Sequence, residues 1–327
     1  KLIELKQWLL ILDRGRGVEK TMRYKQIGKT NEKISELTIG TWAMGGVGWG
    51  DIDRRENIAA IHAMLDEGVN FIDTALIYGN GVSEEVVGEA LRGKRDKVLL
   101  ATKGGLLQVN NHVVKDCSKE SMLTQCDSSL KRLGTDYVDF YFVHWPDFNT
   151  PFAETMHAMN ELKKTGKIRF VSVSNFTIEQ MVEAEKYVQI DVFQPPYSMV
   201  NRTQERLIRW VHDHHIGIMT YGSLGGGILT GAFRTLPKLD PGDTRLFFYD
   251  SFVEPKFSRV MKLLEVLDKI AAAHKATVSQ VAINWNTQKP FVDTSIIGVR
   301  NVNEAKENCA GMHWSLSEAE VAEIDAA

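Results

Sequence analysis

The stretch YVDFYFVHW (Tyr137–Trp145) is almost continuous in aromatic and branched apolar residues and runs out on a histidine. A strand with one wet face alternates apolar and polar residues. A run that is apolar nearly throughout belongs to a strand buried on both faces, as in parallel sheets covered by helices. Similar runs recur outward along the chain at Leu37–Trp42, Asn70–Ala75, Val98–Lys103, Ile168–Asn175, Val192–Tyr197, Ile216–Tyr221 and Val292–Val299.

Helical patterns separate them. Ser118–Leu133 stops at Gly134 and Phe152–Lys164 at Gly166, and glycine readily takes the left-handed conformation that follows a helix. Thr177–Tyr187 opens with T-x-x-Q, a capping box. Ser83–Arg92 reads with Ser83 as N-cap and Glu84 and Glu85 at the positive end of the helix. Thr203–His214, Phe257–His274 and Val302–Cys309 complete the set. Eight strands, each followed by a helix through right-handed crossovers, predict an α/β fold of the (β/α)8 TIM-barrel type. Met22–Ser35, with Gly28 and Asn31 at turn positions, predicts an N-terminal β-hairpin. Two connections are long: Gly222–Lys256, expected as a binding loop at the C-terminal face, and Ala276–Pro290, expected to hold a helix over Val278–Thr287.

Composition agrees with this architecture. The 327 residues, 43% hydrophobic and 25% charged, suit one complete barrel core. A formal net charge of −3 without a basic face argues against a nucleic-acid partner. No run of 18 apolar residues is present, so no membrane span is expected. Cys117, Cys126 and Cys309 match neither a zinc site nor a disulfide framework, and their odd number suits the cytoplasm. Residues 1–21 are expected to be an extension of unknown role ahead of a barrel domain at 22–327. Their apolar segment Leu2–Leu12 contains Glu4 and Lys6 and lacks an A-x-A-like cleavage site, so it is not read as a secretory signal. His212, His214 and His215 crowd one helix end. Two of them could share a face and bind a metal, or the group could simply cap the negative end of the helix. No metal site is expected.

The reactive groups of a barrel project from the C-terminal ends of its strands. Those ends carry Asp73, with Tyr78 five residues on, then Lys103, then His144. A phenol is a poor acid at neutral pH, its pKa being about 10. An ammonium at Lys103 would stabilise the phenolate of Tyr78, lower that value and favour proton donation. Asp73 would keep the lysine charged and in place, and His144 could orient and polarise a substrate carbonyl. The set has no nucleophile with an adjacent base, so it suits proton transfer coupled to a cofactor's hydride better than hydrolysis. Trp49 and Trp145, and Trp42 unless it is core, could wall a substrate pocket.

The runs NFIDTALIYG (70–79), ATKGG (101–105), FVHWPD (142–147), VSNF (173–176) and TYGSLGGGILTG (220–231) resemble the signature segments of the aldo-keto reductase superfamily, in the same order. The resemblance implies an alcohol:NAD(P)+ oxidoreductase (EC 1.1.1.-) that reduces an aldehyde or ketone, with Asp73, Tyr78, Lys103 and His144 as its catalytic tetrad. It also implies a nicotinamide dinucleotide bound across the barrel mouth without a Rossmann domain, and the glycine cluster Gly45–Gly50 indeed lacks G-x-G-x-x-G spacing. On that basis Ser174, Asn175 and Gln194 would bond the carboxamide and Tyr221 would stack on the nicotinamide. Gly222, Ser223, Leu224 and Gly226 would run along the pyrophosphate, with Gly40, Thr41 and Trp42 bordering the site. Ile297, Gly298, Arg300, Glu304, Glu307 and Asn308 would hold the adenosine end.

At that end the family pattern is altered. Ile297 replaces a proline and Glu304 stands where glutamine is usual. Arg300 could pair with a 2′-phosphate, whereas Glu304 would repel one or bond the ribose hydroxyls of NAD. NADP is favoured and NAD stays open. The alternative reading is a nucleotide-sensing subunit resembling the potassium-channel β subunits. A metal-dependent barrel hydrolase would need His, Asp and Glu ligands converging at strand ends, where Lys and Tyr stand instead.

Overall fold

Among the described residues, twelve strands run in chain order: β1 (Tyr24–Gln26), β2 (Lys33–Ser35), β3 (Leu37–Gly40), β4 (Phe71–Asp73), β5 (Leu99–Gly104), β6 (Leu106–Val109), β7 (His112–Lys115), β8 (Val138–Val143), β9 (Ile168–Ser174), β10 (Val192–Gln194), β11 (Gly217–Thr220) and β12 (Thr294–Gly298). The structure, a computed structural model, describes residues 21–50, 52–110 and 112–327, so the expectations for residues 1–20 lie outside the described residues. Eight strands pair in parallel around a closed barrel, β3-β4-β5-β8-β9-β10-β11-β12. Closure is made by β12 on β3, with Ser295 beside Leu37 and Gly298 beside Gly40. The (β/α)8 expectation holds.

The two-residue period of a strand sorts the side chains into two layers. Phe71, Leu99, Ala101, Phe140, Phe142, Val192 and Met219 form the packed barrel interior. The intervening residues, such as Ile72, Leu100, Val171 and Val173, pack outward against the helices. β1 and β2 form the expected antiparallel hairpin, whose Ile27 and Ile34 join the interior cluster and close its N-terminal end. Gly28 makes that seal possible: its φ is 51°, and a Cβ there would lie 2.3 Å from the Gly217 backbone nitrogen at the start of β11. Following the same period upward, Phe71 leads to Asp73, Leu99 and Ala101 to Lys103, Phe142 to His144, and Val192 to Gln194. Each inward column is apolar below and polar at the mouth.

The helices follow the sequence reading closely. Ser118 caps Lys119–Leu133, which ends at left-handed Gly134, and Thr177 and Gln180 form the expected capping box ahead of Ile178–Ala184. Val278–Thr287 is helical as expected. One cap is corrected: Val82–Ala90 starts after left-handed Gly81, and Ser83 caps nothing. The Ser83 hydroxyl is instead buried, bonded to the Thr41 carbonyl at 2.9 Å and the Thr41 hydroxyl at 2.7 Å. Three elements have no counterpart in the sequence reading. They are helix Arg54–Asp66 capped by Asp53, the β6–β7 hairpin, and helix Glu318–Ala326 with its Ser317–Glu320 capping box. The long loop contains short helical turns at Gly225–Thr230, Arg245–Phe248 and Asp250–Phe252. Among the described residues, no helix is long and apolar enough to cross a membrane.

Phe140 is fully buried in the barrel interior against Phe71 and Phe170. Phe140→Ala is therefore expected to cost about 3–5 kcal/mol in urea unfolding. Thr177→Ala, which removes an exposed cap, should cost about 1 kcal/mol. A smaller loss for Phe140→Ala than for Thr177→Ala would contradict a packed interior.

Candidate active site

The strand ends bring Asp73, Tyr78, Lys103 and His144 together. Tyr78 is placed by a tight turn in which Gly79 and Asn80 both take positive φ (62° and 53°). Only glycine fits at the first of these, since a Cβ on Gly79 would lie 2.2 Å from the Gly45 carbonyl oxygen. Lys103 Nζ donates to Asp73 Oδ2 at 2.7 Å, to the Thr74 carbonyl at 2.9 Å and to the Tyr78 hydroxyl at 3.1 Å. These three contacts use all the donors of an ammonium group. Asp73 Oδ1 accepts from Gln194 Nε2 at 3.0 Å.

Lys103 and Asp73 are almost wholly removed from solvent. Burial pushes the Asp73 carboxyl up and the Lys103 ammonium down in pKa, while their mutual attraction opposes both shifts. Tyr78 differs from the sequence expectation: its pKa is raised well above the ordinary phenol value, not lowered. Burial is the main cause, followed by the charge of Asp73 and the neighbouring Tyr221 and Tyr249. The phenol is therefore fully protonated at neutral pH, and the contact with Lys103 acts on the oxygen once a proton departs. His144 stands edge-on to the Tyr78 ring at 5.9 Å. Burial, then the charge of Lys103, holds its pKa well below the ordinary imidazole value, so it is neutral and has one N–H to donate.

A second ring of bonds links these groups to the residues assigned to nicotinamide. Asn175, at φ 63°, donates to the His144 carbonyl and to Ser174 Oγ, each at 2.9 Å, and accepts from the Tyr221 hydroxyl at 2.9 Å. Ser174 Oγ in turn bonds the Gln194 carbonyl at 2.8 Å. Thr41 Oγ1 bonds the Asp73 carbonyl at 2.9 Å, beside Gly40, whose Cβ position is filled by Ile296. Beyond Tyr221 the chain passes Gly222, Ser223, Leu224 and Gly226. Gly222, Gly225, Gly226 and Gly227 all have positive φ. Ser223 Oγ is buried there with no partner.

Aromatic rings gather beside Tyr78. The Trp42 ring stacks on Tyr78 at 5.9 Å and meets Trp49 at 5.2 Å and Phe248 at 5.1 Å edge-on. Trp42 thus faces the site and is only partly buried. Trp145, next to His144, has Lys115 Nζ of the β6–β7 hairpin 5.2 Å from its ring. Phe248 and Tyr249 come from the long loop and were not singled out by sequence. The nearest signal was the loop's length and aromatic content. Tyr249 lies against the glycine strip, where a Cβ on Gly226 would sit 2.7 Å from its ring.

The adenosine-end residues are more dispersed. Arg300 Nη2 pairs with Glu304 Oε1 at 2.9 Å, and the Arg300 backbone N–H donates to the other Glu304 oxygen at 2.9 Å. Glu307 is turned away and accepts from Thr277 Oγ1 at 3.0 Å. The Ile297 side chain is in the core, leaving only its backbone available. Asn308 Nδ2 reaches the Gly298 carbonyl at 3.5 Å. His214 stacks on Trp210 at 3.9 Å, and among the described residues no three His, Cys, Asp or Glu side chains are grouped to hold a metal.

The sequence profile of the aldo/keto reductase family matches residues 36–327. The chain is 37% identical to the aldo-keto reductase YhdN of Bacillus subtilis, over 93% of each chain. It is 32% identical to an NADH-specific methylglyoxal reductase of Escherichia coli, over 91% of this chain and 96% of that one. Identity to a probable voltage-gated potassium channel subunit beta of Arabidopsis thaliana is 31%, over 88% and 90%. Among solved structures, the glycerol dehydrogenase of Gluconobacter oxydans superposes with a TM-score of 0.85 at 32% identity, over 93% of this chain and 94% of that one. Profile, relatives and barrel agree, and the chain belongs to the aldo/keto reductase family.

Proposed function

We propose that the protein, as one domain over 22–327, reduces an aldehyde or ketone to an alcohol with NAD(P)H, using Tyr78 as proton donor in the cytoplasm. The observation that carries this reading is the single ammonium of Lys103 shared between Asp73 and the Tyr78 hydroxyl. A bound reduced nicotinamide would supply the hydride. His144, kept neutral, donates its N–H to the substrate oxygen and holds it beside Tyr78. Tyr78 then passes its proton to that oxygen. Lys103, already bonded to the phenolic oxygen, stabilises the charge left behind, and its effect is large because the site excludes water. Asp73 and the Thr74 carbonyl keep the ammonium from rotating away.

The chain's own groups fit such a cofactor. Asp73 has already taken Gln194 Nε2, leaving Gln194 Oε1 to accept from a carboxamide. Ser174 and Asn175 stand next to it, and Tyr221 offers a ring. The buried, unpartnered Ser223 Oγ suits a phosphate oxygen. The glycines beside it permit close approach of a backbone-bound pyrophosphate. Arg300 supports NADP(H) as the preferred form, while the carboxylate of Glu304 offsets part of its charge. The aromatic wall of Trp42, Trp49 and Phe248 would face the substrate.

Tyr78→Phe should keep cofactor binding, measured by quenching of protein fluorescence, and lose about 10²–10⁴-fold in kcat for a test aldehyde. Turnover equal to the parent's would remove Tyr78 as the donor. The likeness to a channel β subunit favours a second reading, a nucleotide sensor. That reading predicts tight nucleotide binding by the parent protein with negligible turnover across a panel of aldehydes. Glu304→Gln frees Arg300 and removes a negative charge, so it should tighten NADPH binding several-fold and leave NADH nearly unchanged. Equal effects on both nucleotides would show that Arg300 does not meet the 2′-position.

A further inference from the structure

We propose that Glu84 is a positioning residue for the Tyr78–Lys103 pair, acting from behind the barrel wall through Thr102 and through its buried negative charge. The proposal rests on Tyr78 being the proton donor. Glu84 lies in the first turn of helix Val82–Ala90, which begins directly after the Tyr78 turn, and its side chain is fully buried. Glu84 Oε1 accepts from Thr102 Oγ1 at 2.6 Å. Thr102 precedes Lys103 on β5, so the two side chains point to opposite faces of the strand: Lys103 into the mouth, Thr102 toward the helices. One carboxylate thereby ties the segment that presents the phenol to the strand that presents the ammonium.

The other oxygen, Oε2, accepts from Arg132 Nε at 2.7 Å. Arg132 reaches it across Gly81, where a Cβ would lie 2.7 Å from Arg132 Cδ. Ser83, the adjacent residue, bonds Thr74 Oγ1 at 2.9 Å, and the Thr74 carbonyl is one of the three acceptors of Lys103. The groups facing Lys103 in the mouth are Asp73, Tyr78 and His144, and Glu84 acts on it only through its charge from behind the strand. The groups around Glu84 are Arg132, Thr102, Cys126 and Tyr141. The Glu84 charge raises the proton affinity of Lys103, against the larger effect of burial. Removing it makes the pair's proton easier to lose, so activity that depends on the protonated pair fails at lower pH.

The test is the pH dependence of kcat for aldehyde reduction by the full-length protein, with nucleotide affinity and urea stability measured alongside. In Glu84→Gln the amide oxygen still accepts from Thr102, while the charge is gone. The alkaline limb should move to lower pH than in the parent. Because Glu84→Gln leaves the half-buried Arg132 without its charged partner, the double variant Glu84→Gln/Arg132→Met, which removes the ion pair together, is measured too and should move the limb in the same direction by a smaller amount. Loss of stability with the limb unmoved in the foldable variant would reduce Glu84 to a structural role and overturn the proposal. Tyr78→Phe serves as the control. If it retains turnover, the donor assignment falls and takes this proposal with it. If it is inactive while the limb stays at the parent position, the Glu84 proposal alone falls.

Discussion

A 2.7 Å ion pair between Lys103 and Asp73, closed off from water at the barrel mouth, is the constraint around which the rest of the site is arranged. Desolvating two charges is costly, and their attraction compensates only when the geometry is close and the remaining hydrogen-bonding capacity is filled. Both conditions are met. The third donor of Lys103 goes to Tyr78 and the second oxygen of Asp73 goes to Gln194. Deleting either partner would strand a buried charge, at a cost of about 3–5 kcal/mol. The pair is held rigidly because neither side chain has an alternative partner of comparable quality.

That rigidity comes from the barrel. The inward columns of β4, β5, β8 and β10 pack Phe71, Leu99, Phe140, Phe142 and Val192 below, so the next inward residues are lifted to one level. Register matters here: Asp73 aligns with Ala101 and Lys103 with Phe142, which puts Asp73 and Lys103 within a hydrogen bond of each other. A slip of one residue on any of these strands would exchange the inward polar end for an outward-facing neighbour, such as Thr102 for Lys103 or Val143 for His144. The hairpin that closes the N-terminal end acts on the same columns from beneath, since Ile27 and Ile34 complete the interior packing.

Most of this was legible because it depends on local pattern. Apolar runs marked the strands, Gly134 and Gly166 marked helix ends, and four titratable residues at strand ends marked the mouth. What escaped depended on tertiary context. Ser83 looked like a cap, yet the turn at Gly79–Gly81 delays the helix by geometry that no single residue announces, and the hydroxyl is drawn into the core by Thr41 and Thr74. Helix Arg54–Asp66 opens on Arg54, Arg55 and Glu56 and buries a stripe that mixes polar Asn57 and small Ala60 with Ile61 and Met64, so its amphipathic pattern is weak. The direction of the Tyr78 shift escapes a sequence reading because the neighbouring Lys103 is visible in the pattern of strand ends, whereas the burial that dominates the shift exists only in the folded chain.

A division of labour follows from where the groups sit. The buried polar groups Asp73, Lys103 and His144 stand on or just past strand ends, whose positions the barrel determines. The aromatic wall, by contrast, comes from two loops: Trp42 and Trp49 follow β3, and Phe248 follows β11. The loops are joined to each other by the Thr244 N–H donating to the Gly48 carbonyl at 3.0 Å. Thr244 also fills the space beside Gly48, where a Cβ would lie 2.2 Å from Thr244 Oγ1. Changes in either loop therefore reshape the space above Tyr78 without altering the hydrogen bonds of Lys103. In such an arrangement the loops can vary in sequence and shape while the hydrogen-bonded group of Asp73, Lys103 and Tyr78 beneath them stays the same.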